Sequence, residues 1–227
     1  MGDYYRIMLD HRDLNYKPYF TEGATGLATN VWLTSDGVAV VGREGSVRRG
    51  LRRRAVADLT LAELPEHVVT VDRLYEALGS AHWLSFGIAA EGALDAVVAA
   101  ATAHEARTGQ SALARLWLHH PDWEYLAARR VDLPDVRLVN SVRLSQLRDG
   151  PERRAAQLGA ADIDAGAMPH VDWTAGLVVL FRRFEVYSLA TEAEHERHLD
   201  EALACGVDGV SGTHADRVSD ALSRAGW

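Results

Sequence analysis

Short apolar runs of strand length alternate with segments of helical period along nearly all 227 residues, and few folds accept that order. The strand-like runs are residues 5–10, 25–33, 82–88, 113–119, 136–140, 162–167, 185–190 and 207–211. Most are continuous rather than alternating, the pattern of parallel strands covered on both faces. A further run, 38–41, follows the turn Ser35-Asp36-Gly37 and is expected to pair locally. Helical period marks 71–78, 92–107, 123–130, 152–161, 173–183, 192–204 and 215–224. Gly79, Gly109 and Gly206 stand where helices should end, and Pro151 and Asp172-Trp173-Thr174 where they should begin. Repeated β-then-α order predicts an α/β fold, and eight strands predict a (β/α)8 TIM barrel spanning 1–227 as a single domain. Between the first two strands lie about a dozen residues, 12–24, with Pro18 and no apolar helical stripe. The first helix is therefore expected to be missing or shortened. A homo-oligomer formed through that bare face is the hypothesis that follows.

Composition narrows the partners. Apolar residues make up 48% of the chain, enough for a sizeable core, and the net charge is −8. That charge argues against general nucleic-acid binding, which needs positive surface to displace counterions, and favours a small-molecule partner. Lysine occurs only as Lys17, which fits the coding bias of a GC-rich bacterial genome. One cysteine, Cys205, excludes an intramolecular disulfide and suits a reducing compartment. No basic segment with an apolar stretch opens the sequence, and no run approaches the roughly 18 apolar residues of a membrane span. The expected location is cytoplasmic.

Particular residues then suggest a family. Tyr5-Arg6-Ile7-Met8-Leu9-Asp10-His11-Arg12 resembles the opening strand of the glycerophosphodiester phosphodiesterases, which ends in His-Arg-Gly. Residues 23–41 resemble that family's second strand and turn, which usually read G-A-D-x-x-E-x-D-V-x-x-T-x-D-G-V-x-V-V. Leu116-Trp117-Leu118-His119-His120-Pro121-Asp122, Val136-Arg137-Leu138-Val139, Gly150-Pro151-Glu152, Asp172-Trp173-Thr174 and Gly206-Val207-Asp208-Gly209-Val210 continue the likeness in order. The resemblance implies a TIM barrel. It also implies metal-dependent hydrolysis, in which carboxylates hold a hard divalent cation and two histidines serve as acid and base.

Most residues that the resemblance would assign to that chemistry are replaced. Ala28 stands for the metal-binding glutamate and Asn30 for the aspartate two residues on. Both should face the barrel mouth, and a methyl and a neutral amide do not replace two carboxylates. Arg43 stands for the second histidine, with Glu44 beside it, and arginine keeps its proton at any working pH. The acidic residue and lysine of the third strand become Leu84-Ser85-Phe86-Gly87. Thr191 and Thr213 occupy the places of a tryptophan and an aspartate. His11 and Arg12 survive, followed by Asp13 rather than glycine.

Reactive groups in such barrels stand at the C-terminal strand ends. The expected catalytic set is His11, Arg12, Arg43 and Glu44, with His11 as acid or base and an arginine holding an anionic oxygen. The expected substrate contacts are Asp13, Asn30, Trp32, His120, Asn140, His170 and Thr213. His11 and Arg12 have an equal alternative as inherited loop anchors. In His119-His120-Pro121, one histidine is expected to be structural, since neighbours on a strand face opposite ways. Neither a metal nor a cofactor is expected. The arginine-rich stretch 43–54 reads as solvated charge or subunit salt bridges before phosphate binding.

Three functions compete. The favoured one is a repurposed, metal-independent enzyme doing acid–base chemistry (elimination, cyclisation or isomerisation) on a small organic or phosphorylated molecule. The second is a non-catalytic binding or scaffold protein. The third is the inherited phosphodiesterase with a displaced metal site.

Overall fold

The computed structural model describes residues 5–8, 25–49, 52–212 and 214–225. Eight parallel strands close a ring. They are β1 (Tyr5–Met8), β2 (Gly26–Leu33), β7 (Trp83–Ile88), β8 (Leu116–His120), β9 (Arg137–Ser141), β10 (Ala165–Pro169), β11 (Tyr187–Thr191) and β12 (Gly209–Gly212). Each pairs with the next around the ring, and β1 pairs with both β12 and β2, so no barrel strand is left as an edge. This is the expected TIM barrel. β3 (Ala39–Val41) folds back antiparallel on the upper end of β2, with Val31 opposite Val41, and β6 (Val69–Thr70) adds to it. A separate two-stranded ribbon, β4 (Ser46–Arg49) and β5 (Arg52–Ala55), projects from this corner.

Seven helices cover the described ring: α1 (Val71–Leu78), α2 (Ala93–Thr108), α3 (Trp123–Arg129), α4 (Pro151–Ala160), α5 (Ala175–Arg182), α6 (Glu196–Ala204) and α7 (Ala215–Arg224). Their starts follow from side-chain chemistry. Thr70 accepts from the Arg73 amide, Asp122 from the amides of Glu124 and Tyr125, and Thr174 from that of Leu177. Pro151 opens α4, and Gly79 and Gly109 close α1 and α2 with positive φ. The expected shortened first helix falls in 9–24, outside the described residues, and so does the face proposed for self-association.

Because β2 and β7 to β12 are buried on both faces, the core divides in two. Outward residues such as Leu84, Phe86, Leu116, Leu118 and Leu138 pack beneath the helices. Inward, Trp117, Val139, Ala165, Ala167 and Leu189 fill the barrel, with Ala28 and Trp83 against them. At the base of the barrel, aspartates clamp neighbouring strands. Asp164 accepts from the Leu138 amide at 2.9 Å and from Arg130 and Arg137 at 2.9 and 2.6 Å. Asp208 repeats the device, accepting from the Ser188 amide and from Arg182.

Candidate functional site

Register fixes which side chains reach the inside near the C-terminal end. Asn30, Gly87, His119 and Val139 stand at one level across β2, β7, β8 and β9, with Ala28, Ser85 and Trp117 one level below. His119 reaches down to Ser85, whose Oγ lies 2.6 Å from its Nε2. Ser85 is buried at 2% exposure, while His119 is half-buried. Burial pushes the His119 pKa down to about 4, so the imidazole is neutral at pH 7.

Asn30 shows how the wall beside this pair is packed. Its Nδ2 donates to the Arg43 carbonyl at 3.2 Å. A Cβ on Gly87 would lie 2.3 Å from its Oδ1, so the amide occupies space that any side chain at position 87 would need. Trp32, two residues further along β2, donates from Nε1 to the Gly42 carbonyl at 2.9 Å. Its ring lies against Gly45, where a Cβ would meet it at 2.4 Å. Trp32, Arg43 and Glu44 line a pocket of about 450 Å³ between β3, β6 and the β4–β5 ribbon. Arg43 is exposed, and Glu44 pairs with Arg53 across the pocket rim.

The other expected contacts lie away from the barrel interior. His120 alternates outward from His119. Its Nδ1 accepts from the Asp122 amide at 3.1 Å, and its ring packs on Tyr125 at 4.6 Å, so it serves the turn into α3. Asn140 is 1% exposed and has both ends of its amide occupied. It donates to the carbonyls of His120 and Pro121 and accepts from Arg154 at 2.7 Å. His170, at the end of β10, is 8% exposed and stacks on His198 of α6 at 4.1 Å. Burial first, and then the neighbouring His198, lowers its pKa. His11, Arg12, Asp13 and Thr213 lie outside the described residues.

Sequence reasoning missed Ser85 and His119. The signal was available, since Trp117 and His119 share one face of β8. Only the register shows that this face is the inner one.

The comparisons with known proteins agree on the architecture. No family model matches the chain, and no curated protein does. Solved structures match over nearly its full length. A Silicibacter pomeroyi protein assigned to the glycerophosphoryl diester phosphodiesterases superposes with a TM-score of 0.82 at 16% identity, over 100% of this chain and 95% of that one. An Oleispira antarctica phosphodiesterase, solved in complex with the product sn-glycerol-3-phosphate, gives 0.76 at 14% identity over 97% of both chains. The glycerophosphodiester phosphodiesterase of Thermotoga maritima gives 0.72 at 16%, over 96% of this chain and 97% of that one. The chain has the glycerophosphodiester phosphodiesterase fold.

Ala28 and Asn30 stand on β2 where the sequence resemblance would set the cation-binding glutamate and aspartate. Ala28 packs against the apolar interior, and Asn30 presents a neutral amide already engaged by the Arg43 carbonyl. Among the described residues, no three His, Cys, Asp or Glu side chains are grouped to hold a metal ion. The residues present at these positions do not fit a hard divalent cation, which takes several charged oxygen ligands.

Proposed function

We propose that this chain is a small-molecule enzyme that works by proton transfer at the C-terminal mouth of its barrel, without the carboxylate-held cation implied by the family resemblance. The observation that carries this reading is the 2.6 Å contact between Ser85 and His119. Ser85 stands on β7, where the resemblance would set an acidic residue and a lysine, and His119 on the neighbouring β8. A neutral imidazole has one N–H and one lone pair, and the Ser85 hydroxyl can satisfy Nε2 in either tautomer. Nδ1 is then free to give or take a proton from a bound molecule. With its pKa near 4, His119 is suited to donate a hydrogen bond to a developing oxyanion, or to relay a proton, while remaining uncharged. His11 is proposed as the stronger base and Arg12 as the holder of an anionic oxygen, at the exit of β1.

The substrate class is a small organic or phosphorylated molecule. A structural relative holding sn-glycerol-3-phosphate supports a compact, polar ligand, and the net charge of −8 supports a partner other than nucleic acid. The reaction class is elimination, cyclisation or isomerisation, each of which needs a proton taken from one substrate atom and delivered to another.

The test incubates the protein with phosphorylated trioses and polyols in D2O and reads deuterium incorporation at carbon by NMR, with and without chelator. Incorporation that survives chelator and falls at least 100-fold in His119→Gln is the expected result. Chelator-sensitive hydrolysis of sn-glycero-3-phosphocholine would overturn the reading in favour of an active phosphodiesterase. Ligand binding without any exchange would favour a binding protein.

A further inference from the structure

The pocket behind Trp32 is independent of the Ser85–His119 pair. We propose that it is a binding site for a small amphipathic monoanion, a molecule with a flat apolar body and a single carboxylate head.

Its volume, about 450 Å³, suits one small molecule. The floor is apolar: Val40, Val41, Val56 and Val69 line it, and all four are buried. Trp32 forms a wall that is already held in place. Its indole N–H is bonded to the Gly42 carbonyl, and Gly45 lies against one side of the ring, so little side-chain entropy remains to be lost on binding. An indole and four valines suit a flat hydrocarbon body, while Ser46 and His67 add polar edges to the lining.

The rim supplies the charge. Arg43 and Arg53 against Glu44 leave a net +1 around the opening. Glu44 already satisfies Arg53, whereas Arg43 has no ion-pair partner among the described residues. One uncompensated guanidinium matches one negative charge, and its fork of donors matches a carboxylate.

The surrounding field points the same way. Residues 43–54 hold six arginines and one glutamate, a net +5, so the rest of the chain carries −13 within a total of −8. On the ribbon, Arg48 stands opposite Arg53, and Arg49 opposite Arg52. A positive ribbon beside the opening of an otherwise acidic protein draws anions to that opening.

The test is calorimetric titration with phenylacetate, with phenyl phosphate and benzyl alcohol as dianionic and neutral counterparts. Phenylacetate should bind saturably, at least tenfold more tightly than benzyl alcohol. Arg43→Gln, at an exposed position that leaves the core intact, should weaken phenylacetate at least fivefold. Glu44→Gln raises the rim to +2 and should tighten both anions, phenyl phosphate more. Equal binding of benzyl alcohol and phenylacetate would overturn the proposal. So would an absence of phenylacetate binding at millimolar concentration, or indifference of the affinity to both substitutions. His119→Gln should leave phenylacetate binding unchanged, which separates this site from the proton-transfer site.

Discussion

At the scale of single residues, the wall beside His119 is a matched pair. Asn30 fills space that exists because position 87 lacks a side chain. A Cβ there would come within 2.3 Å of Oδ1, closer than a side chain tethered to the Arg43 carbonyl can yield without losing that bond. Gly87→Ala should therefore cost about 1–3 kcal/mol by overpacking. Asn30→Ala alone should cost about 1 kcal/mol, the net worth of one hydrogen bond. In the double variant the alanine at 87 meets no amide, so the two costs should fall well short of additive, with a coupling of more than about 1 kcal/mol. Urea unfolding of the four proteins measures this directly. Additive losses would show that the two positions do not share space. The same pairing explains why sequence reasoning could see each replacement of a family residue but not the link between them: Asn30 and Gly87 are 57 positions apart and meet only through the β2–β7 register.

At the scale of elements, the strands and helices were legible because burial on both sides and capping chemistry are written locally. α1 and α7 have the expected bounds, and the cap residues Gly79, Gly109, Pro151 and Thr174 act as their types predict. Four strands, β8, β10, β11 and β12, begin two or three residues late. Asp162 and Glu185 adopt positive φ, 54° and 60°, and turn the chain before β10 and β11, a role normally signalled by glycine or asparagine. The β4–β5 ribbon was read only as charge, because four of its eight strand residues are paired arginines and no apolar alternation marks it. The choice between His119 and His120 was illegible for a related reason, since a strand buried on both faces loses its period of two. What ties these elements together at the base is also non-local. Asp164 is 10% exposed at its side chain and Arg130 is 11%. Together they join the end of α3 to β9 and β10. Asp164→Ala would leave Arg130 buried without its anion and the Leu138 amide without its acceptor. A loss of about 3–5 kcal/mol is expected in denaturant unfolding. Asp164→Asn retains an acceptor for Leu138 and should cost less. Equal losses in the two variants would show that the charge, and not the bond to the Leu138 amide, is what matters there.

At the scale of the whole molecule, the barrel binds its interior histidine into global stability. His119 titrates at about 4 when folded and near 6.5 in the unfolded chain, so the unfolded state takes up a proton first as pH falls. Its contribution is complete above about pH 6.5 and is lost progressively between 6.5 and 4. Below that window both states are protonated and the loss is finished. The difference between the two states corresponds to at most about 3–4 kcal/mol, a substantial share of the stability of an ordinary domain. His170 adds in the same direction, because burial and His198 depress its pKa also. Asp36, whose pKa is held down first by a hydrogen bond with the Thr34 side chain and then by the Leu61 amide, works with the opposite sign and only lower: it gives stability above about 3.8 that is lost as pH falls further. Most of the interval from 6.5 to 4 falls to the depressed histidines, His82 among them, joined near its lower end by Glu201, whose pKa is held down by Arg197. Thermal unfolding followed across it should show the melting temperature of the wild type falling steadily. In His119→Gln, which can still meet Ser85 with a hydrogen bond, the slope should be markedly shallower. The imidazole C–H resonances of His119 should also hold their neutral positions down to about pH 5. A midpoint near 6.5 for those resonances, or an unchanged slope in the variant, would place His119 in contact with bulk water. That would remove the uncharged imidazole on which the proton-transfer reading rests.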